Sequence, residues 1–77
     1  MNRYIATFYS HYGAMLYFKA LKSRGIAAKL MPVPRKVSAS CGTGVRYEHV
    51  ESIDLDNCEL DSVYVEADGA YYCMLSK

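Results

Sequence analysis

The chain has 77 residues, of which 52% are hydrophobic and 22% charged, and its formal net charge is +1. That length supports a single small domain over residues 1–77 with a thin core, and the apolar fraction excludes a disordered chain. No run approaches the roughly 20 consecutive apolar residues of a membrane span. Met1-Asn2-Arg3 leads into too short an apolar stretch for a secretory signal, so a cytoplasmic protein with no membrane partner is expected.

Arg3 to Tyr9 is rich in aromatic and β-branched residues and predicts a largely buried first strand. Ser10 is a helix N-cap residue and Gly25 a residue suited to a left-handed stop, which brackets a helix over His11–Arg24. Ala14, Met15, Phe18 and Leu21 recur at helical spacing and form its expected core stripe. Ile26 to Met31 is a second strand, halted by Pro32 and Pro34. The helical crossover makes the first two strands parallel members of one sheet. Residues 32–44 read as an ordered loop, prolines at one end and glycines at the other.

Val45 to Val50 alternates apolar with charged residues as a third strand, while 51–61 fits either a short acidic helix or an edge strand through Ile53-Asp54-Leu55. Ser62–Glu66 and Ala70–Leu75 flank Asp68-Gly69, a hairpin signal. The fold class that results is α+β, a two-layer sandwich β-α-β-loop-β-(α)-β-β, a ferredoxin-like variant with one main helix on a mixed sheet.

The net charge conceals a segregation. Every Arg and Lys except Lys77 falls within residues 1–46, and every Asp and Glu within 47–77. Either the two halves pack together and neutralise each other, or a positive face attracts an anion or an acidic protein. Basic residues and eight tyrosines are compatible with nucleic acid, but an acidic half of nearly equal charge argues against a phosphate-backbone binder. An uncovered edge strand would favour a homodimer.

Cys41, Cys58 and Cys73 have neither zinc-ribbon nor Cys-x-x-Cys spacing, so no metal site and no cofactor is expected from them. Cys73, in an apolar strand, reads as a small core residue, and Cys58 as a thiol whose pKa its acidic neighbours raise. Cys41 differs. It follows Ser38-Ala39-Ser40, precedes Gly42 and Gly44, and has Arg35, Lys36 and Arg46 nearby in sequence with no acid before Glu48. A thiol among cations and small residues suits a nucleophilic sulfur, and the two glycines would let backbone amides and the Ser38 and Ser40 hydroxyls line a small anion-receptive concavity. The alternative is a turn cysteine packed under its loop. A serine nucleophile lacks the G-x-S-x-G elbow and an evident histidine partner, and Gly42-x-Gly44 is too short for a dinucleotide fingerprint. His11 and His49 read as exposed residues, although His11, in the first helical turn, stands where strand ends gather.

The run Pro32-Val33-Pro34-Arg35-Lys36-Val37-Ser38-Ala39-Ser40-Cys41-Gly42 resembles the P-x-P-R-x-x-S-x-x-C-G signature of a family of small bacterial domains labelled putative Se/S carrier protein-like, and the likeness covers roughly residues 4–48. The resemblance implies a cysteine that holds sulfur or selenium as a persulfide or selenopersulfide, with protein donors and acceptors as partners. Carried over by position, Cys41 is the carrier thiol, Gly42 its permissive neighbour, and Arg35 and Ser38 the supporting residues. A non-enzymatic carrier is the leading expectation. The alternative is a protein-interaction or regulatory module with a charge-segregated surface and a structural Cys41, and a thiol that senses oxidants is the third reading.

Overall fold

The computed structural model describes residues 1–37, 41–55 and 58–76. The chain order is β1 (Asn2–Phe8), α1 (His11–Ser23), β2 (Ala28–Pro32), β3 (Thr43–His49), β4 (Leu60–Ala67) and β5 (Ala70–Ser76). One five-stranded sheet has the order β2-β3-β1-β4-β5. β1 and β2 do run in the same direction, as the helical crossover requires, but β3 is inserted between them and pairs antiparallel with both. The mixed sheet expected from sequence is therefore an antiparallel one at every ladder. This insertion is the split β-α-β arrangement of ferredoxin-like folds, with β5 added beyond β4.

Local chemistry sets the element ends. The Ser10 hydroxyl accepts from the Gly13 amide at 3.1 Å, and Arg24 caps the C-terminus before Gly25 turns left-handed at φ 75°. Asp68 and Gly69 both have positive φ, the paired left-handed residues of a two-residue hairpin turn.

α1 lies over β2, β3 and β1 on one sheet face. Its buried residues are Gly13, Ala14, Tyr17 and Leu21. Met15, assigned to the stripe from its spacing, is exposed, and Phe18 sits at the flank. The helix is rotated so that Tyr17 enters the core, because its hydroxyl finds a partner there: it donates to the Ile53 carbonyl at 2.6 Å. The Ile53 amide in turn donates to the Tyr47 hydroxyl at 3.0 Å. The Tyr17 ring lies 5.1 Å from Phe8 and 5.8 Å from Tyr47.

Residues 51–55 are neither helix nor strand, which corrects both sequence readings of this segment; Asp56 and Asn57 lie outside the described residues. Ile53, Cys58 and Leu60 join the helix-side core, and Leu55 packs against it. Seating this connection brings backbone against α1: a Cβ on Gly13 would collide with the Cys58 carbonyl.

The second sheet face is also covered. Ile5 and Thr7 point away from α1 yet are buried. The start of the 33–42 loop lies over them, since a Cβ on Gly44 would stand 3.2 Å from Val33 Cγ2 and 3.7 Å from Ile5 Cγ2. Val37 is buried outside the helix-side cluster, and the Lys36 ammonium reaches the Gly69 carbonyl at 3.2 Å. In β5, Leu75 packs against the core, whereas Tyr72, Cys73 and Met74 are exposed. Cys73 is thus an edge-strand surface thiol and not the core residue its apolar neighbours suggested.

Alanine is the better helix former by about 1 kcal/mol, yet Gly13→Ala should destabilise the protein by about 1–3 kcal/mol through overpacking against the Cys58 backbone. Urea unfolding checks this, and an unchanged or higher midpoint would show that the seam opens freely. Alkaline pH provides a second test. Burial raises Tyr17 and Tyr47 above their ordinary 10.0 and the Cys58 thiol above its ordinary 9.0. Below those values both folded and unfolded forms keep their protons, whereas above them the unfolded chain ionises first. Stability should therefore be flat up to about pH 9 and fall as pH rises further. Tyr17→Phe should make that fall shallower by up to about 1.4 kcal/mol per pH unit.

Candidate functional site

The loop from β2 to β3 is closed at its base by the Val33 amide donating to the Gly42 carbonyl at 2.9 Å, continuing the Pro32–Thr43 pairing. Cys41 stands one residue inside that closure and is half-buried. Within the loop, the Val37 amide donates to the Pro34 carbonyl at 3.0 Å, a β-turn that puts Arg35 and Lys36 at its exposed corners. The two prolines suit this geometry, Pro32 ending an edge strand and Pro34 opening the turn.

The start of α1 arrives at the same corner. His11 Nδ1 and Thr43 Oγ1 share a hydrogen bond at 3.1 Å, which brings the first helical turn beside the residue two positions after Cys41. His11, read from sequence as an exposed first-turn residue, is exposed and is also a neighbour of this corner. Thr43 was not marked by any sequence pattern. The signal that could have found the loop's packing is the pair Val33 and Val37, two β-branched residues in an otherwise polar stretch.

The sequence-selected residues are placed unevenly. Cys41, Gly42 and the β-turn bearing Arg35 belong to the loop, while Ser38 and Ser40 lie outside the described residues. Arg46 is three residues beyond Thr43, about 10 Å along β3, and its guanidinium pairs with Glu66 at 3.6 Å. The concavity expected from the two glycines with Ser38 and Ser40 falls partly outside the described residues, and Gly44 itself belongs to the sheet. That residue lies in the ladders with Thr7 and Met31, where a Cβ would press on the Ala6 carbonyl at 3.0 Å and on Val33 Cγ2 at 3.2 Å, and neither Gly42 nor Gly44 has positive φ. Gly44 is a packing glycine.

The three thiols now have distinct environments. Cys58 is 5% exposed, and burial raises its pKa, whereas sequence had assigned that rise to acidic neighbours. Cys73 lies on the open edge strand, its Sγ 3.5 Å from the Leu75 carbonyl. Of the three, Cys41 combines partial access with a closed loop base and a nearby histidine–threonine pair. Among the described residues, no group of three or more His, Cys, Asp or Glu gathers as a metal site would.

Residues 3–71 match the family model described as Putative Se/S carrier protein-like. The chain belongs to this family. The match runs past the loop signature through β4 to the start of β5, so four of the five strands and the connection from β3 to β4 fall within the family's span. No curated protein and no solved structure matches the chain. Among the described residues, no helix is long and apolar enough to cross a membrane.

Timed alkylation of the native protein should label Cys73 and Cys41 and spare Cys58, with all three labelled in urea. Mass mapping of each site checks the order. Early labelling of Cys58 would mean that the 51–59 connection opens readily.

Proposed function

We propose that Cys41 carries sulfur or selenium between a donor and an acceptor protein. The observation that carries this reading is the setting of Cys41, the half-exposed thiol at the base of a closed loop in a chain of the Se/S carrier family. Buried Cys58 cannot meet a partner without opening the core. Edge-strand Cys73 lacks both the loop and the signature, and it lies just beyond the family match.

Loading is a thiol exchange. The Cys41 thiolate attacks the outer sulfur of a donor persulfide, a new Cys41 S–S bond forms, and the donor's S–S bond breaks. The electron pair of the broken bond leaves with the donor thiolate, which takes up the proton. No external oxidant enters, since the carried sulfur arrives already as sulfane sulfur. Delivery repeats the step with Cys41 as the leaving group. A selenopersulfide follows the same bookkeeping with selenium as the outer atom.

Arg35, exposed on the loop's β-turn, suits the acidic surface of a docking protein, while the neighbouring Lys36 ammonium is held by the Gly69 carbonyl. His11, held by Thr43, stands where it can pass a proton to or from solvent. Ser38 and Ser40 are assigned to the loop's hydrogen-bonding complement. This chemistry needs free thiols and suits a reducing compartment, the cytoplasm.

Loading with a cysteine desulfurase and cysteine, followed by site-resolved mass spectrometry, should find one added sulfur on Cys41. Cys41→Ser should abolish it with the circular dichroism spectrum unchanged, while Cys73→Ser should load normally. Equal addition at all three cysteines, or loading retained in Cys41→Ser, would overturn the assignment.

A further inference from the structure

The two edges of the sheet are unlike. β2, at one edge, carries Lys29 and ends in Pro32, a charge and a missing donor that both discourage a further strand. β5, at the other edge, has neither, since Ala70–Ser76 holds no charged residue and no proline. Its surface includes large apolar groups, Tyr72 being 56% and Met74 55% accessible. Register fixes which backbone groups of β5 are left over. Ala67 and Ala70 flank the two-residue Asp68-Gly69 turn and so form a hydrogen-bonded pair. Along the ladder the pair types then alternate: Glu66–Tyr71 is non-hydrogen-bonded, Val65–Tyr72 hydrogen-bonded and Tyr64–Cys73 non-hydrogen-bonded. The amides and carbonyls of Tyr71 and Cys73 therefore point outward from the sheet. The register shift that follows leaves Met74 as the extra residue of a bulge and ends the regular edge.

An edge with two outward residues separated by one is its own complement. A two-fold axis at Tyr72, perpendicular to the sheet, sets Tyr71 of each copy opposite Cys73 of the other, and each pair exchanges both its backbone bonds. Tyr72 then meets its own counterpart at the close spacing of a non-hydrogen-bonded pair, on the α1 side of the sheet that it shares with Val65. One step out, Ala70 lies opposite Met74 of the other copy, small against large. Residues 70–74 are uncharged, so no like charges meet along the contact. We infer that β5 pairs antiparallel with β5 of a second copy, centred on Tyr72, and joins two five-stranded sheets into one. The alternative joint, β5 of one copy on β2 of the next, is heterologous and open-ended, and Lys29 and Pro32 oppose it. A short chain with a thin core gains stability from such burial. The contact makes no use of Cys41 chemistry.

Sedimentation equilibrium of the reduced protein tests this. Wild type should be a dimer that persists at high salt, because backbone bonds and apolar side chains hold it. Tyr72→Lys alone and Tyr72→Glu alone should each weaken self-association by at least about tenfold, since each sets like charges directly opposite across the axis. An equimolar mixture of the two should regain a dimer, which shows that neither variant has unfolded and that position 72 faces itself. Cys73→Pro removes an outward amide while costing no bond to β4, so it should give a monomer with an unchanged circular dichroism spectrum. Tyr12→Lys, the same substitution at an exposed tyrosine of α1, should leave the dimer intact. A monomeric wild type, dissociation by salt, a dimer indifferent to Tyr72→Lys or Cys73→Pro, no recovery on mixing, or equal loss in Tyr12→Lys would each overturn the inference.

Discussion

β1 is buried on both faces, and most of the architecture follows from that constraint. Tyr4, Ala6 and Phe8 face α1, while Ile5 and Thr7 face away, and none of the five is more than 2% exposed. A strand at the centre of a small antiparallel sheet needs cover on two sides, yet this chain has a single helix. α1 covers β2, β3 and β1; Ile53, Leu55 and Cys58 from the connection after β3 add to that layer, and Val33 at the start of the loop after β2 lies on the other side. Cover without regular structure leaves backbone polar groups to be satisfied individually. The relay from Tyr17 to the Ile53 carbonyl, and from the Ile53 amide to Tyr47, does that for the connection. Thr7 does it on the other face by donating to the Ser62 carbonyl at 3.4 Å.

The position of Cys41 is a consequence of this packing. Because Val33 and Val37 are needed against the second face, the loop is tied down at its start and closed at its base, and Cys41 is held at the closure instead of at a free tip. Gly44 permits that approach by having no side chain where Val33 and Ile5 meet. The split topology then brings the first turn of α1 to the start of β3, so that a residue from position 11 stands beside one from position 43. The role proposed for Cys41 would need both features, a fixed backbone to orient the sulfur and an open side for a partner.

Local signals in the sequence were reliable wherever the physics is local. The Ser10 cap, the Gly25 stop, the Asp68-Gly69 turn and the buried character of the first strand depend on side-chain and backbone chemistry within a few residues, and each is realised. Helical spacing marked a stripe but not its rotation. Tyr17 counts as amphipathic in any local reading, and only the Ile53 carbonyl, 36 residues away, makes its burial favourable over that of Met15. Cys73 failed for the converse reason: its neighbours are apolar, but among the described residues no element covers it. The cause assigned to the raised Cys58 thiol shifted from charge to burial on the same ground.

By itself the sequence determined the α+β fold class, the helix and hairpin boundaries, the block separation of charge and the loop signature that marks Cys41, because composition, capping, turn preference and motif are properties of neighbouring residues. The tertiary structure decided the insertion of β3 between β1 and β2, the pairing of His11 with Thr43, the commitment of Arg46 to Glu66 and the exposure of each cysteine. Those depend on which distant segments share a sheet face, and that choice is made by burial and register summed over the whole chain, which no local window contains.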